Sequence, residues 1–239
     1  MSAIRSILPE VDPIVISQIA AFDRLTAEEL REVEGLLRRK SFAAGATLMM
    51  VEQSGEAVYF IASGTVKIHV EQADGADVII SILGPGEIIG EMDLLDNRGR
   101  SASVVTLEPS MMLWMDRASF RRCMETMPRI TFNLARILAA RLRLANAQIQ
   151  SLAALDTECR VARQILAFAE RYGQRQSNGD ISIPIRLTQS DIASMVGATR
   201  EHVNKILVSY KERGYISVDS AYHLTIHDPQ MLLRRCGQK

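Results

Sequence analysis

"IIGEMDLLDNRGRSASV" occupies residues 88–104. Glu91 follows Gly90 directly, and Arg100 and Ser101 come just after the turn signal "DNRG". Most of the residues around them are apolar or small. A plain strand-to-strand loop has no use for one carboxylate and one guanidinium set into such a stretch, because charges taken out of water demand partners.

The flanking chain gives this segment its setting. From about residue 39 to 115 the hydrophobic period is two. "TLMMV", "AVYFIAS", "TVKIHVE", "DVIISIL", "SASVVTLE" and "MMLWM" alternate with the turn signals Gly45, Ser54-Gly55, Gly64, "ADGAD", "GPGE" and "DNRG". Short strands at this spacing predict an antiparallel barrel or roll. Upstream, residues 14–36 read as helix, with a capping box from Thr26 to Glu29 and an apolar stripe of Leu25, Leu30, Val33, Leu36 and Leu37. Downstream, Asp116 caps "DRASFRRCMETM", which stops before Pro128.

Pro128 suits the first turn of a long helix over 129–155. Leu138, Leu142, Ala145, Ile149 and Leu152 recur there at heptad spacing. The alternatives are a helix packed on its own domain and a two-fold homodimer; the strands already hold enough apolar residues, which favours the homodimer. "LDTECR" breaks the helix and makes Asp156 a candidate hinge, with Thr157 available to cap the next helix up to Gly173. "ISIPIRL" reads as a short strand, and its Pro184 suggests an edge.

Residues 188–213 read "TQSDIASMVGATREHVNKILVSYKER". Thr188 with Asp191 marks one helix start and Thr199 another. Ala193 is small where two helices would cross, and Gly197 stands where the turn requires a left-handed residue. Ile192, Val203 and Ile206 would hold the second helix to the first. The pattern predicts a helix-turn-helix, against a plain helical hairpin with a solvated charged face, and "YISVDSAYHLTIH" adds a two-strand wing. In such a unit the second helix enters the major groove by its N-terminus. That gives DNA contacts to Thr199, Arg200, Glu201 and Lys205, with Thr188, Gln189 and Ser190 at the start of the first helix. Arg suits guanine, Glu accepts from cytosine, and Lys reaches guanine or phosphate.

Composition agrees with this division. Residues 157–239 carry 12 Lys+Arg against 8 Asp+Glu, whereas residues 1–156 carry 16 against 20. Hydrophobic residues make up 47% of the chain, enough for packed cores. No apolar run approaches the length that spans a bilayer, so no membrane partner is expected. The start, "MSAIRSILPEVDP", does not read as a secretory signal. The three cysteines, Cys123, Cys159 and Cys236, are odd in number and far apart, which fits a cytoplasmic protein without a disulfide framework.

The "GE…RSA" segment and "TREHVNKIL" together resemble the cyclic-AMP receptor protein/FNR (CRP/FNR) family of bacterial transcription regulators, and the resemblance runs from about residue 25 to 227. It implies an α+β chain in three parts: a cyclic-nucleotide-binding β-roll with flanking helices over 1–128, a dimerisation helix and hinge over 129–156, and a winged helix-turn-helix DNA-binding domain over 157–239. It implies that Glu91 holds the ribose 2′-hydroxyl, while Arg100 and Ser101 hold the cyclic phosphate. The physics agrees, since Arg is the best fork for a phosphate monoanion and Glu91, an acceptor, belongs at the sugar. Gly90 and Ala102 would add backbone donors, Met92 completes the segment, and Ile68, Ile80, Ser81 and Leu83 would line the pocket from the strands.

Two positions depart from the family pattern. Ala145 and Asn146 stand where the best-known cyclic-AMP binders carry a Thr-Ser pair that contacts the base. Asn146 has donor and acceptor for either adenine or guanine, so cyclic AMP is expected with cyclic GMP as alternative. Lys205 replaces a common Arg and should read one guanine of a TGTGA-like inverted repeat less well. The expected partners are double-stranded DNA with an inverted-repeat site, a second copy of the chain, and RNA polymerase. The rival reading is a ligand-independent DNA-binding dimer whose β-roll is an interaction module. Nothing in the sequence suggests an enzyme. No metal, haem or iron–sulfur cluster is expected: no cysteine precedes Cys123, His69 reads as a strand residue, and His223 with His227 makes only two ligands.

Overall fold

The computed structural model describes residues 13–72 and 77–236. The first twelve residues, most of the expected "ADGAD" turn and the last three residues lie outside the described set. The N-terminal segment is α1 (Pro13–Ser17), a 3-10 turn (Ala20–Phe22) and α2 (Ala27–Leu36), not one helix over 14–36. The capping box explains the break. The Thr26 hydroxyl accepts from the Glu29 N–H at 3.2 Å and the Glu29 carboxylate takes the Thr26 N–H at 2.7 Å, so Thr26 is extended and a helix can only begin after it.

Eight strands follow: β1 (Arg38–Phe42), β2 (Thr47–Met49), β3 (Ala57–Ser63), β4 (Val66–Glu71), β5 (Asp77–Leu83), β6 (Ile88–Ile89), β7 (Ser103–Thr106) and β8 (Ser110–Asp116), with a short helix α3 (Glu91–Asp96) between β6 and β7. They form two four-stranded antiparallel sheets, ordered β1-β8-β3-β6 and β2-β7-β4-β5. Ile61, Val66, Leu83, Ile89, Val104 and Met112 cluster as the core of the roll. Val58, Phe60, Leu113 and Met115 pack instead against Ile16, Phe22, Phe120, Ile130 and Leu134 of the helices. The sequence reading passed over β1, because "RRKSF" shows no apolar alternation. It is an edge strand whose Arg38 guanidinium lies 5.3 Å from the centre of the Trp114 ring, and its charges discourage pairing with another sheet.

Next come α4 (Arg117–Thr126), capped by Asp116, and α5 (Pro128–Ala154), with Pro128 in its first turn. The 27 residues of α5 span about 40 Å. The next helix, α6 (Thr157–Tyr172), is capped by Asp156, whose carboxylate accepts from the Cys159 N–H at 2.8 Å; Thr157 is already helical. The remaining elements are β9 (Gln174–Arg175), β10 (Ile181–Ile183), α7 (Gln189–Val196), α8 (Arg200–Glu212), β11 (Ile216–Val218), β12 (Leu224–Ile226) and α9 (Pro229–Arg235). Their sheet runs β11-β12-β10-β9, so β10 is interior rather than an edge. It tolerates the nearby Pro184 because the strand stops at Ile183 and loses no ladder donor. Among the described residues no helix is long and apolar enough to cross a membrane.

The C-terminal core does not close on itself. Ile79 and Ile82 of β5 belong to it, packed with Ile192, Ala193, Met195 and Val196 of α7 and with Val161 and Ile165 of α6. The Ser194 hydroxyl accepts from the Ile79 N–H and donates to the Asp77 carbonyl, both at 3.2 Å. The Tyr172 hydroxyl accepts from the Gly84 N–H at 3.2 Å, and the Thr65 hydroxyl accepts from the Arg186 N–H at 3.2 Å. Gln148 of α5 reaches the Met195 carbonyl at 2.9 Å. The helix-turn-helix unit is therefore docked on the outer face of β5 and against the second half of α5.

Candidate nucleotide site and DNA-facing surface

The "GE…RSA" residues converge, although not as a direct pair. Arg100 is buried, and its guanidinium donates to the Gly90 carbonyl at 2.7 Å and the Ala57 carbonyl at 2.6 Å. Burial pulls its pKa down from the ordinary arginine value, while the charges of Asp93, Tyr59 and Glu91 oppose that pull. Gly90 has a φ of +84°, and a Cβ there would strike the guanidinium and Met49. Glycine is thus required twice over, for the left-handed turn and for the close approach of Arg100.

Glu91 is only 2% exposed, and its partner is Arg141 from α5, at 2.6 Å. Arg141 also donates to the Ile88 carbonyl at 2.6 Å and to Glu87 at 3.3 Å. The sequence reading did not single out Arg141. A signal was present: Arg141 lies one helical turn before Ala145, the position placed near the base, so the two share a face of the helix.

Behind Arg100 stands a brace that the sequence reading also passed over. Asp93 is buried and accepts from the N–H groups of Gly55 and Gly99, each at 2.7 Å, and from Arg117 at 2.7 Å. Arg117 in turn donates to the Gly55 carbonyl at 2.9 Å and to the Asn97 side chain at 2.7 Å. Burial raises the Asp93 pKa, but the Gly99 and Gly55 hydrogen bonds and the Arg117 charge outweigh it, leaving the carboxyl below the ordinary aspartate value. A Cβ on Gly55 would collide with both the Asp93 carboxylate and the Arg100 guanidinium, so this backbone is pressed between them. Surface clefts of about 410 and 510 Å³ lie on the outer side of this brace, along Glu56 and Arg117, and neither is lined by Glu91 or Ser101.

The other expected site residues divide. Ile68 and Leu83 belong to the interior of the roll, and Ser81, paired across the sheet with Ile68, is half-buried beside them. Ser101 is exposed and its hydroxyl leans on the Met92 sulfur at 3.8 Å; Met92 is also exposed and Ala102 is buried. Ile80 corrects its expectation. It sits at a bulge opposite Ile68 and His69 and is 51% exposed, because the bulge turns it out of the alternation. Asn146 lies exposed on α5.

The helix-turn-helix forms as the sequence implies. Thr188 and Asp191 make a full capping box, Gly197 takes a φ of +61°, and the Thr199 hydroxyl caps α8 by accepting from the His202 N–H at 3.2 Å. Val203, Ile206, Leu207 and Tyr210 face the core. Thr199, Arg200, Glu201, Lys205 and Ser190 are exposed, Gln189 is half-exposed, and Thr188 is half-buried with its hydroxyl held by Asp191. His202, which the sequence reading omitted, is exposed in the same first turn of α8.

Two family models match the chain: a cyclic nucleotide-binding domain over residues 39–127 and a Crp-like helix-turn-helix domain over residues 159–235. The chain is 33% identical over 221 residues to the CRP-like cAMP-activated global transcriptional regulator of Mycobacterium tuberculosis, spanning 92% of this chain and 98% of that one. The chain belongs to the CRP/FNR family. Its likeness to the cyclic AMP receptor protein of Thermus thermophilus is 30% identity over 195 residues, 82% of this chain and 87% of that one. In fold it is similar to FixK2 from Bradyrhizobium japonicum, with a TM-score of 0.72 at 20% identity, covering 83% of this chain and 96% of that one. As a CRP/FNR protein it is a DNA-binding transcription regulator of the cyclic-nucleotide type, and its matched relatives are regulators rather than enzymes.

The CRP/FNR long helix carries the expected heptad residues unequally. Leu142 and Ile149 are 63% and 65% exposed, and Leu152 and Ala145 are exposed with them. Leu138 is half-buried against the chain's own N-terminal core, and Leu152 also approaches the Gly197 turn. The histidines of this CRP/FNR chain do not gather. His69 pairs with Asp77 at 2.6 Å, His223 with Asp219 at 3.1 Å, and His227 bridges Asp180 at 2.8 Å and Ser217 at 2.9 Å. Among the described residues no three His, Cys, Asp or Glu side chains are placed to share a metal ion.

Proposed function

We propose that this chain is a homodimeric regulator switched by a cyclic nucleotide, cyclic AMP in first place and cyclic GMP as the alternative. The observation that carries the reading is the buried Arg100 guanidinium beside the buried Glu91, in one turn built around Gly90. A monoanionic cyclic phosphate is the natural partner of the first and a ribose hydroxyl of the second. In this reading residues 1–128 are the sensor, 129–156 the dimerisation helix and hinge, and 157–239 the DNA-binding unit. Gly90, Glu91, Met92, Arg100, Ser101 and Ala102 hold sugar and phosphate, with Ile68, Ser81 and Leu83 as lining and Asn146 meeting the base. The exposed seam of Leu142, Ala145, Ile149 and Leu152, extended by Leu138, pairs two copies. The two copies of α8 then read an inverted-repeat DNA site through Arg200, Glu201 and Lys205, and RNA polymerase is the further partner.

Arg141 supplies the switch. It grips Glu91 in the docked arrangement, so a ribose hydroxyl on Glu91 competes with that arrangement. A ligand shifts only an equilibrium whose two forms it binds unequally. The Mycobacterium tuberculosis relative is a cAMP-activated regulator, so in this reading the docked form is the one that binds DNA poorly. Nucleotide frees the helix-turn-helix from β5 and α5, and the hinge at Asp156 lets the two copies reach half-sites roughly 34 Å apart.

The test is a calorimetric titration with cyclic AMP and, separately, cyclic GMP. One site per chain for one nucleotide is expected, and Arg100→Leu should weaken it by about 30-fold or more, roughly 2 kcal/mol. Unchanged affinity in the variant overturns the phosphate assignment. The Arg141–Glu91 pair gives the acid an internal partner and is the one feature that favours a β-roll without ligand. An absence of heat from either nucleotide would turn the conclusion to that reading.

A further inference from the structure

Glu87 stands in the turn between β5 and β6, outside the nucleotide segment, and is mostly buried. Two guanidinium groups from different parts of the chain share it. Arg141 of α5 reaches Oε2 at 3.3 Å, and Arg171 of α6 reaches Oε1 at 2.8 Å. Arg141 also holds Glu91 at 2.6 Å. Glu91, Arg141, Glu87 and Arg171 thus form a continuous line of alternating charge from the nucleotide segment, across the long helix, to the first helix of the DNA-binding unit. We infer that Glu87 is a positioning residue for the nucleotide site and the joint through which that site and the docked DNA-binding unit sense each other.

The direction of coupling follows from the distances. The grip of Arg141 on Glu91 is tight and its grip on Glu87 is loose. A hydroxyl that takes over Glu91 leaves Arg141 free to tighten on Glu87. One carboxylate then serves two cations, and the hold of Arg171 weakens. The arrangement is also poised: Arg141 Nε is a buried donor with no acceptor, so the docked form does not satisfy this side chain fully. Because coupling is reciprocal, loosening Arg171 must favour nucleotide.

This inference rests on the proposed function, and one set of measurements separates the two. The intact protein, Arg171→Gln, Arg171→Lys, Glu87→Gln and the double variant Glu87→Gln/Arg171→Gln are titrated with cyclic AMP and cyclic GMP, and nucleotide-free affinity for a TGTGA inverted-repeat duplex is read by fluorescence anisotropy. Arg171→Gln should tighten nucleotide binding and raise nucleotide-free DNA affinity, each by about three- to tenfold. A tighter grip on DNA after loss of a positive charge is the reverse of what a phosphate-contacting arginine gives. Arg171→Lys should return both toward the parent. In the Glu87→Gln background, Arg171→Gln should add nothing further. Nucleotide affinity unchanged or weakened in Arg171→Gln overturns the joint. A parent that binds neither nucleotide overturns the proposed function instead. In that case unchanged DNA affinity in Arg171→Gln overturns the joint as well, and increased affinity upholds Glu87–Arg171 as the docking latch.

Discussion

Asp93 shows how a single residue can shape a site without touching what binds there. Its carboxylate holds the backbone at Gly55 and Gly99 and orients Arg117, and the Gly55 backbone in turn backs Arg100. Asp93→Asn keeps the volume but sets an amide N–H against donors, so a loss of about 1–3 kcal/mol in unfolding free energy is expected by urea denaturation. The effect depends on pH. The native carboxyl titrates below its ordinary value, so its stabilisation is complete above about pH 4 and is lost as pH falls through the lowered native value. Parent and variant should therefore converge in acid, and a constant gap down to pH 2 would show that charge is not the cause. Glu91 and Arg100 were legible in the sequence because they share one short motif. Asp93 was not, since only Gly99 lies in that segment and its other partners, Gly55 and Arg117, come from elsewhere in the chain.

At the scale of elements, the strand and helix starts were read best where a side chain fixes the backbone. Thr26, Asp116, Thr188 and Thr199 each cap the helix expected of them. Misreadings arose where the tertiary setting decides. β1 is a strand because β8 offers it a partner, despite three consecutive basic residues. The long helix α5 is a case where sequence pattern and surroundings must be read together. Its heptad leaves Leu142 and Ile149 bare, whereas Leu138 already has neighbours. Leucine and isoleucine at such exposure, repeated along one seam, are where a second copy should pack. Ile149→Asp should convert a dimer into a monomer in sedimentation velocity with little change in helix content, because nothing in the chain's own core rests on it. A variant still dimeric would place the interface elsewhere.

At the scale of the whole molecule, the helix-turn-helix completes its core with two isoleucines borrowed from β5. No periodicity in the sequence could announce this, because Ile79 and Ile82 are three residues apart and share a face only through the bulge at Ile80, and the α7 residues that cover them lie more than 100 residues along the chain. Ser194 fastens the contact at the backbone of β5. Ser194→Ala removes both hydrogen bonds and should loosen docking by about 1 kcal/mol. Nucleotide-free DNA binding should then rise roughly fivefold in an anisotropy titration, by the usual conversion of free energy to affinity. No change would mean that docking does not restrain DNA binding.

The borrowed isoleucines have a thermal consequence. Undocking would wet Ile79 and Ile82 together with the α7 side chains that cover them, and hydrating apolar surface raises heat capacity. An apolar clasp of this kind slackens on cooling. The proposed switch should therefore answer to temperature as well as to ligand, with less nucleotide needed to open it in the cold than in the warm.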